Sequence, residues 1–416
     1  MEADRFDEIQ QARRGFDEVV AEIRQVPGHE DFLSEPALAD ILNAADDHPL
    51  CYLTAADSDG AALIVRDGDV IPVVLPMLSA TSTRERVESH LRHYRAFRRD
   101  PLSLPSWTSD VDDTTQWLWE AVMAPVLSLC PATEMTIITG GLLGLLPLHA
   151  AWFPDSAAVT GRRYALDDVV ISYVPNARSL TVARGRAQQS TMDTVLAVAD
   201  PLPRRKELDP LHSAIHEVNA ACDGYTSVLL SGSAATASNV RSHLSTADIL
   251  HFACHGIADL DVPANSHLVL AGDDRLTLRD LLGMDLRARL AVLSACETSM
   301  AGTDLPDEAL GLPTGLLHAG VAGVVASLWA VNDLSSAILM TEFYRRWYRS
   351  DSSPARALRD AQQWLRDSTN AEKVHAAEQL PAEVRDHFLD MLLFREPDDR
   401  DEAAIPVWAA FEHIGV

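Results

Sequence analysis

The sequence predicts an α/β protein built on a mostly parallel sheet with helices on both faces. Three observations carry this. From residue 194 onward, short apolar runs recur: TVLAVAD (Thr194–Asp200), TSVLL (Thr226–Leu230), DILHFA (Asp248–Ala253), LAVLSA (Leu290–Ala295) and AGVVASLW (Ala322–Trp329). They are apolar almost throughout rather than alternating, as strands buried on both faces are. Between and after them, residues 211–222, 236–245, 277–283, 308–319, 334–349 and 354–367 carry apolar side chains at helical spacing. Alternation of this kind places helices on either side of a parallel sheet.

The segments before residue 194 follow in order. Phe6, Ile9, Phe16, Val19, Val20 and Ile23 predict an amphipathic helix over 1–25, stopped by Pro27 and Gly28. A second helix is expected over Glu35 to Ala45. CYLTA (Cys51–Ala55), AALIV (Ala61–Val65) and VIPVVLP (Val70–Pro76), separated by Asp/Gly turns, read as a hairpin or meander. Residues 83–99 read as a helix whose six arginines form a solvated face, and 115–129 as another helix with Trp117, Leu118, Val122 and Val126 inward. MTIIT (Met135–Thr139) reads as a buried strand followed by a Gly-rich turn and an apolar helix, and DVVISYVPNARSL (Asp168–Leu180) as a further strand and a short helix. The polar stretch ARGRAQQSTMD (Ala183–Asp193) is the expected domain boundary. Residues 370–404 are expected to be an exposed polar excursion, and IPVWAAFEHIG (Ile405–Gly415) a final strand.

Composition narrows the function. The chain has 416 residues, 47% hydrophobic, enough for a large core and two domains. Its 34 basic and 61 acidic residues give a formal net charge of −27, which repels phosphate backbones and anionic lipid. Nucleic acid and membrane partners are therefore not expected. Five scattered cysteines, Cys51, Cys130, Cys222, Cys254 and Cys296, form no disulfide framework and point to a reducing compartment. The charged N-terminus does not read as a signal peptide, and glycines and Pro147 break up the longest apolar segment, so a cytoplasmic protein is expected.

Two strand ends carry the chemistry. DILHFACHG (Asp248–Gly256) ends at His255 and Gly256, and RLAVLSACETS (Arg289–Ser299) holds Cys296. If the strands are parallel neighbours, an imidazole and a thiol meet at the carboxyl edge of the sheet, where open α/β sheets build their sites. A neighbouring imidazole turns a thiol into a nucleophilic thiolate and later protonates the leaving amine. We assign Cys296 as nucleophile, His255 as general base and acid, and the backbone amides of Gly256 and Cys296 as the oxyanion hole. His251, mid-strand, reads as a buried, hydrogen-bonded imidazole, and Cys254 as a core residue facing away from His255. Zinc binding by His251, Cys254, His255 and Cys296 is disfavoured, since structural zinc ligands come in close-spaced pairs on loops. No metal and no cofactor are expected.

HFACHG, LSACETS and ASLWAVND together resemble the CHAT proteases, bacterial relatives of caspases and separases. TIITGGLLGLLPLHAAWF, SYVPNARSL, LAVADP, HEV, LLSGSAATASNV, DEALGLPTGLLHAGVAGVVASLW and VWAAFEHIG are similar to further family landmarks in the same order, over roughly residues 45–416. The resemblance implies a caspase-like three-layer sandwich, with an N-terminal helical segment over 1–45, an inactive caspase-like half over 46–185 and an active half over 190–416. It places the catalytic pair at His255 and Cys296. SLWAVND resembles the separase stretch lining the specificity pocket, which makes Asp333 a candidate partner for a basic side chain before the scissile bond. The other reading of Asp333 is an N-cap for the helix beginning near Leu334. Glu297 and Thr298 are candidates to line the cleft or to cap a turn.

The expected function is a cysteine endopeptidase that cuts a specific protein partner, held inactive until a signal or regulatory protein arrives. By resemblance, bacterial immunity or cell death is its setting. The segment Ser299 to Glu308 is the expected activation loop. A catalytically silent scaffold is the alternative, and an acyltransferase using the same dyad a third reading.

Overall fold

The computed structural model describes residues 2–27, 37–204, 208–259, 262–295, 311–350 and 352–416. The apolar runs become strands in the expected places. In chain order these are β1 (Leu50–Thr54), β2 (Gly60–Arg66), β3 (Asp69–Leu75), β4 (Glu134–Thr139), β5 (Trp152–Pro154), β6 (Arg162–Tyr164), β7 (Val170–Tyr173) and β8 (Thr194–Pro201). They continue with β9 (Thr226–Gly232), β10 (Ile249–Ala253), β11 (Gly256–Ile257), β12 (His267–Val269), β13 (Arg275–Thr277), β14 (Leu290–Leu293), β15 (Gly323–Ser327) and β16 (Phe411–Gly415).

One eleven-stranded sheet runs through the molecule in the order β3-β2-β1-β4-β7-β16-β15-β14-β10-β8-β9. β9, β8, β10, β14 and β15 are mutually parallel. β16 lies antiparallel to β15 and parallel to β7, so the direction of the sheet reverses there. β7, β4 and β1 form a second parallel group, extended by the antiparallel β2 and β3. The seam between the two groups is narrow: β16 and β7 share the single register pair Ile414 and Tyr173.

Residue alternation along the strands sorts the helices onto two faces. Ile249 and Ala253 of β10 and Leu290 and Val292 of β14 pack with helices Ala214–Cys222, Asp333–Arg349 and Pro354–Asp367. Leu250, Phe252, Ala291 and Leu293 face the opposite way, onto helices Ala237–Leu244, Leu278–Leu282 and Leu312–Ala319. This is the layered α/β architecture that the alternating pattern predicts.

Two expectations need correction. Residues 370–404 are not an exposed excursion: they hold helices Asn370–Ala377 and Ala382–Leu392, whose Phe388 and Leu392 enter the core. The polar composition misleads because Lys373 is itself buried, ion-paired to Glu402 at 2.7 Å and donating to the carbonyl of Ser368. The final apolar run splits into a helical turn, Ile405–Trp408, and β16, since Pro406 suits the first turn of a helix. The polar stretch Ala183–Asp193 begins inside helix Ala177–Gln189, whose Leu180 and Ala183 are buried. The arginine-rich helix spans Ala80–Arg99, capped by Ser79, with Thr83, Val87, His90, Leu91 and Tyr94 buried on the face away from most of its arginines.

Candidate active site

β10 and β14 are adjacent and parallel, and their register pairs Phe252 with Leu293. His255 follows Phe252 by three residues, and Cys296 follows Leu293 by three. Cys296, Glu297, Thr298 and the Ser299–Glu308 segment lie outside the described residues. The residues flanking them at the carboxyl edge are placed. Ala295 is buried, and its carbonyl accepts a hydrogen bond from Ser327 Oγ at the end of β15, at 2.7 Å.

His255 leaves β10 half-buried. Its carbonyl accepts from the amide of Val269, which fixes the main chain just before Gly256 opens β11. The ring is oriented separately. Nε2 lies 2.8 Å from the carbonyl oxygen of Asp209, in the connection between β8 and helix Ala214–Cys222. A carbonyl only accepts, so Nε2 carries the proton and Nδ1 is left as the basic nitrogen.

Beside this edge lies a recess lined by Ala253, Ser294, Trp329 and Leu211 and by two carboxylates, Glu217 and Asp333. Asp333 is the first residue of helix Asp333–Arg349, and the N-cap is Asn332, whose Oδ1 accepts the amides of Leu334 and Ser335. The capping alternative for Asp333 is therefore corrected. Its own carboxylate accepts the amide N–H of Ser213 at 2.7 Å. Glu217, 2% exposed, meets His251 Nε2 at 2.8 Å, while His251 Nδ1 meets the Tyr344 hydroxyl at 2.7 Å. His251 is thus the buried, hydrogen-bonded imidazole expected of it, and Cys254 packs in the opposite-face core. With both nitrogens of His251 occupied and Cys254 on the other face, the two do not converge on a zinc ion. Among the described residues no cluster of His, Cys, Asp and Glu is arranged to hold a metal ion.

Asp209 and Ser213 escaped the sequence reading, and Glu217 entered it only within the HEV landmark. Only Glu217 left a signal there: it is an acidic residue on the inward face of helix 211–222, next to Val218. A main-chain carbonyl such as that of Asp209 leaves none, because every residue has one.

The sequence model of the CHAT domain family matches residues 112–416. This is narrower than the span of the motifs, although β1 to β3 and helix Ala80–Arg99, which precede it, belong to the same fold. Two crystal structures of the Saccharomyces cerevisiae separase–securin complex resemble the chain. One matches with a TM-score of 0.57 at 9% identity over 91% of this chain, the other with 0.55 at 9% over 96%. The chain spans 31% of the length of either separase chain. No curated protein sequence matches it significantly. At such identity the likeness is one of fold, the caspase-like α/β fold of cysteine proteases, and no described helix is long and apolar enough to cross a membrane. With a match over most of its length and the landmark segments in family order, the chain belongs to the CHAT domain family.

Proposed function

We propose that this protein is a cysteine endopeptidase whose dyad is Cys296 and His255. The observation that carries the reading is the contact between His255 Nε2 and the Asp209 carbonyl. It leaves Nδ1 to take the proton of the Cys296 thiol. The thiolate attacks the scissile carbonyl, the C–N bond breaks with the proton passing from Nδ1 to the amine, and water hydrolyses the thioester. The amides of Gly256 and Cys296 are proposed to stabilise the oxyanion, Gly256 because a side chain there would crowd the substrate. Equal spacing of His255 and Cys296 from the paired Phe252 and Leu293 supports the pairing. The reaction needs no metal or cofactor.

The recess is narrow in this structure, about 30 Å³, and is proposed to open to an arginine side chain on Asp333, with Glu217 adding negative field and Glu297 lining the cleft. A guanidinium binds carboxylate bidentately, which favours arginine over lysine. The substrate is proposed to be a protein in the cytoplasm, with a separate regulatory protein controlling access, as the neighbouring separase is crystallised with securin. Bacterial immunity or cell death is the proposed setting. The reversal of the sheet at β16 supports a division into an N-terminal segment 1–45, an inactive half 46–185 and an active half 190–416.

The test is reaction with a peptidyl acyloxymethyl ketone bearing arginine at the residue before the scissile bond. We expect covalent labelling at Cys296 and hydrolysis of the matching peptide, both lost in Cys296→Ala. Hydrolysis that survives Cys296→Ala sinks the assignment. A chain that folds, takes no label and cleaves nothing with its regulator present is the silent scaffold instead.

A further inference from the structure

The segment Leu328–Asn332, which walls the recess between β15 and Asp333, leaves the sheet at Ser327 and no longer has a ladder partner for every amide. The first of its amides is met by the Ala410 carbonyl. The amide of Ala330 is met from 236 residues away: it donates to the Tyr94 hydroxyl at 2.9 Å. Ala330 sits between Trp329 and Val331, both lining the recess, and three residues before Asp333. Tyr94 is 3% exposed and belongs to helix Ala80–Arg99.

The same remote region also holds Trp329. The Trp329 ring lies 5.6 Å from that of His90 and edge-on to Trp107 at 5.9 Å, and Tyr94 packs on Trp107 at 5.2 Å. Its indole N–H is fixed on the Pro406 carbonyl at 2.7 Å. An irregular segment with no strand neighbour keeps its shape only while such contacts over-determine it.

We infer that Tyr94 is a positioning residue for substrate recognition: its hydroxyl fixes the backbone of Leu328–Asn332 and thereby sets where the Asp333 carboxylate stands in the recess. The first part of the chain then has a task without a dyad of its own, as a rigid prop for the specificity recess. This rests on the reading of that recess as the site for a basic side chain. Recognition by a bidentate ion pair is sensitive to displacement of a fraction of an ångström, whereas Ala330 reaches the imidazole at the end of β10 only indirectly, through Asp333, Ser213 and the connection that carries Asp209.

Tyr94→Phe tests this, because it removes one oxygen and leaves the ring contacts. Three quantities are read: hydrogen exchange of the Ala330 amide, the Kd for agmatine, and KM and kcat on an arginyl peptide. We expect faster Ala330 exchange, Kd and KM raised by about tenfold, and a smaller change in kcat than in KM, since Ser213 keeps its His387 anchor. A melting temperature near that of wild type shows that the variant folds. Arg95→Ala, on the exposed face of the same helix, should leave all three readouts alone. Wild-type binding of agmatine with the same Kd and KM in Tyr94→Phe overturns the inference while sparing the recess. Absence of agmatine binding and of arginyl cleavage in wild type removes the recess reading itself, and the inference with it.

Discussion

His255 is held by Asp209: ring Nε2 and main-chain carbonyl stand 2.8 Å apart, so the imidazole is aimed by a connection rather than by its own strand. That connection is anchored at Ser213 from two sides. Its amide donates to Asp333, and its hydroxyl meets His387 Nε2 at 3.0 Å, from helix Ala382–Leu392. His387→Ala is expected to lower kcat about tenfold with a smaller change in KM, since a misaimed base slows chemistry more than binding. His387→Gln, which still reaches the hydroxyl, should recover most of it. Steady-state kinetics on one arginyl peptide decide, and an unchanged kcat in His387→Ala would separate the helical hairpin from the site.

Thiol chemistry should single out Cys296. Cys51, Cys130 and Cys254 are buried, and Cys222 is half-buried. Burial, then the nearby Cys130 thiol, pushes Cys51 up to about 12, and burial also raises Cys130 and Cys222. Iodoacetamide at neutral pH should modify Cys296 at least ~10-fold faster than these, because the thiolate is the reacting form. His255→Ala should erase the preference. Peptide mapping by mass spectrometry reads it, and even labelling across the cysteines would count against the dyad.

Asp333→Asn keeps an oxygen for the Ser213 amide but removes the charge. We expect kcat/KM for an arginyl peptide to fall by roughly 100-fold, the loss of a charged bidentate partner, while a matched citrulline peptide changes little. Equal losses on both peptides would mean that Asp333 serves the fold alone.

Lys373 tests the corrected reading of residues 370–404. Burial alone would push the Glu402 carboxyl up, yet Lys373 and Arg395 outweigh it and hold it below its ordinary value. Lys373→Met removes the buried one of two cationic partners and leaves Glu402, 2% exposed, with Arg395 at 2.5 Å. Breaking such a pair costs about 3 kcal/mol, toward the low end because one cation remains. Urea unfolding measures it, and a loss below about 0.5 kcal/mol, as at exposed pairs, would return this segment to the surface.

Three buried imidazoles set an acid limit on stability. Burial holds His90 and His149 down to about 4, against the pull of Asp110 on His90 and of the Ala409 carbonyl on His149. Burial and then Arg289 hold His413 down to about 3. The folded values lie below the ordinary imidazole value, so the unfolded chain binds more protons as pH falls below about 6.5. Their contribution is complete above that pH and is lost as pH drops through 4 and then 3. Each adds up to about 1.4 kcal/mol per pH unit to the slope in its window. Urea unfolding at pH 7 and pH 5 should show the loss, and His149→Gln should flatten it; a slope indifferent to that change would contradict the burial argument.

Continuous apolar runs and their helical intervals were enough to read the parallel strands β8, β10, β14 and β15, because burial on both faces admits a polar residue only where it finds a partner, as His251 does. The ends of those runs pointed to His255, and the inward place of His251 and Cys254 followed from alternation. The same logic failed at Lys373, since a polar residue signals solvent only when no partner awaits it in the core. Nor could periodicity show that the polar stretch after Ala183 continues as helix.

By itself the sequence determined which segments become strands, which of them carry a reactive side chain at the carboxyl end, and the family to which their motifs belong. Only tertiary structure decided that Asp209 aims His255, that Tyr94 props Ala330, and that Glu217 stands with Asp333 beside the same recess. Those relations run through main-chain carbonyls and amides, which are identical at every residue, or join side chains more than a hundred positions apart. No local pattern encodes them; the closing of the sheet between β10, β14 and β15 brings them together.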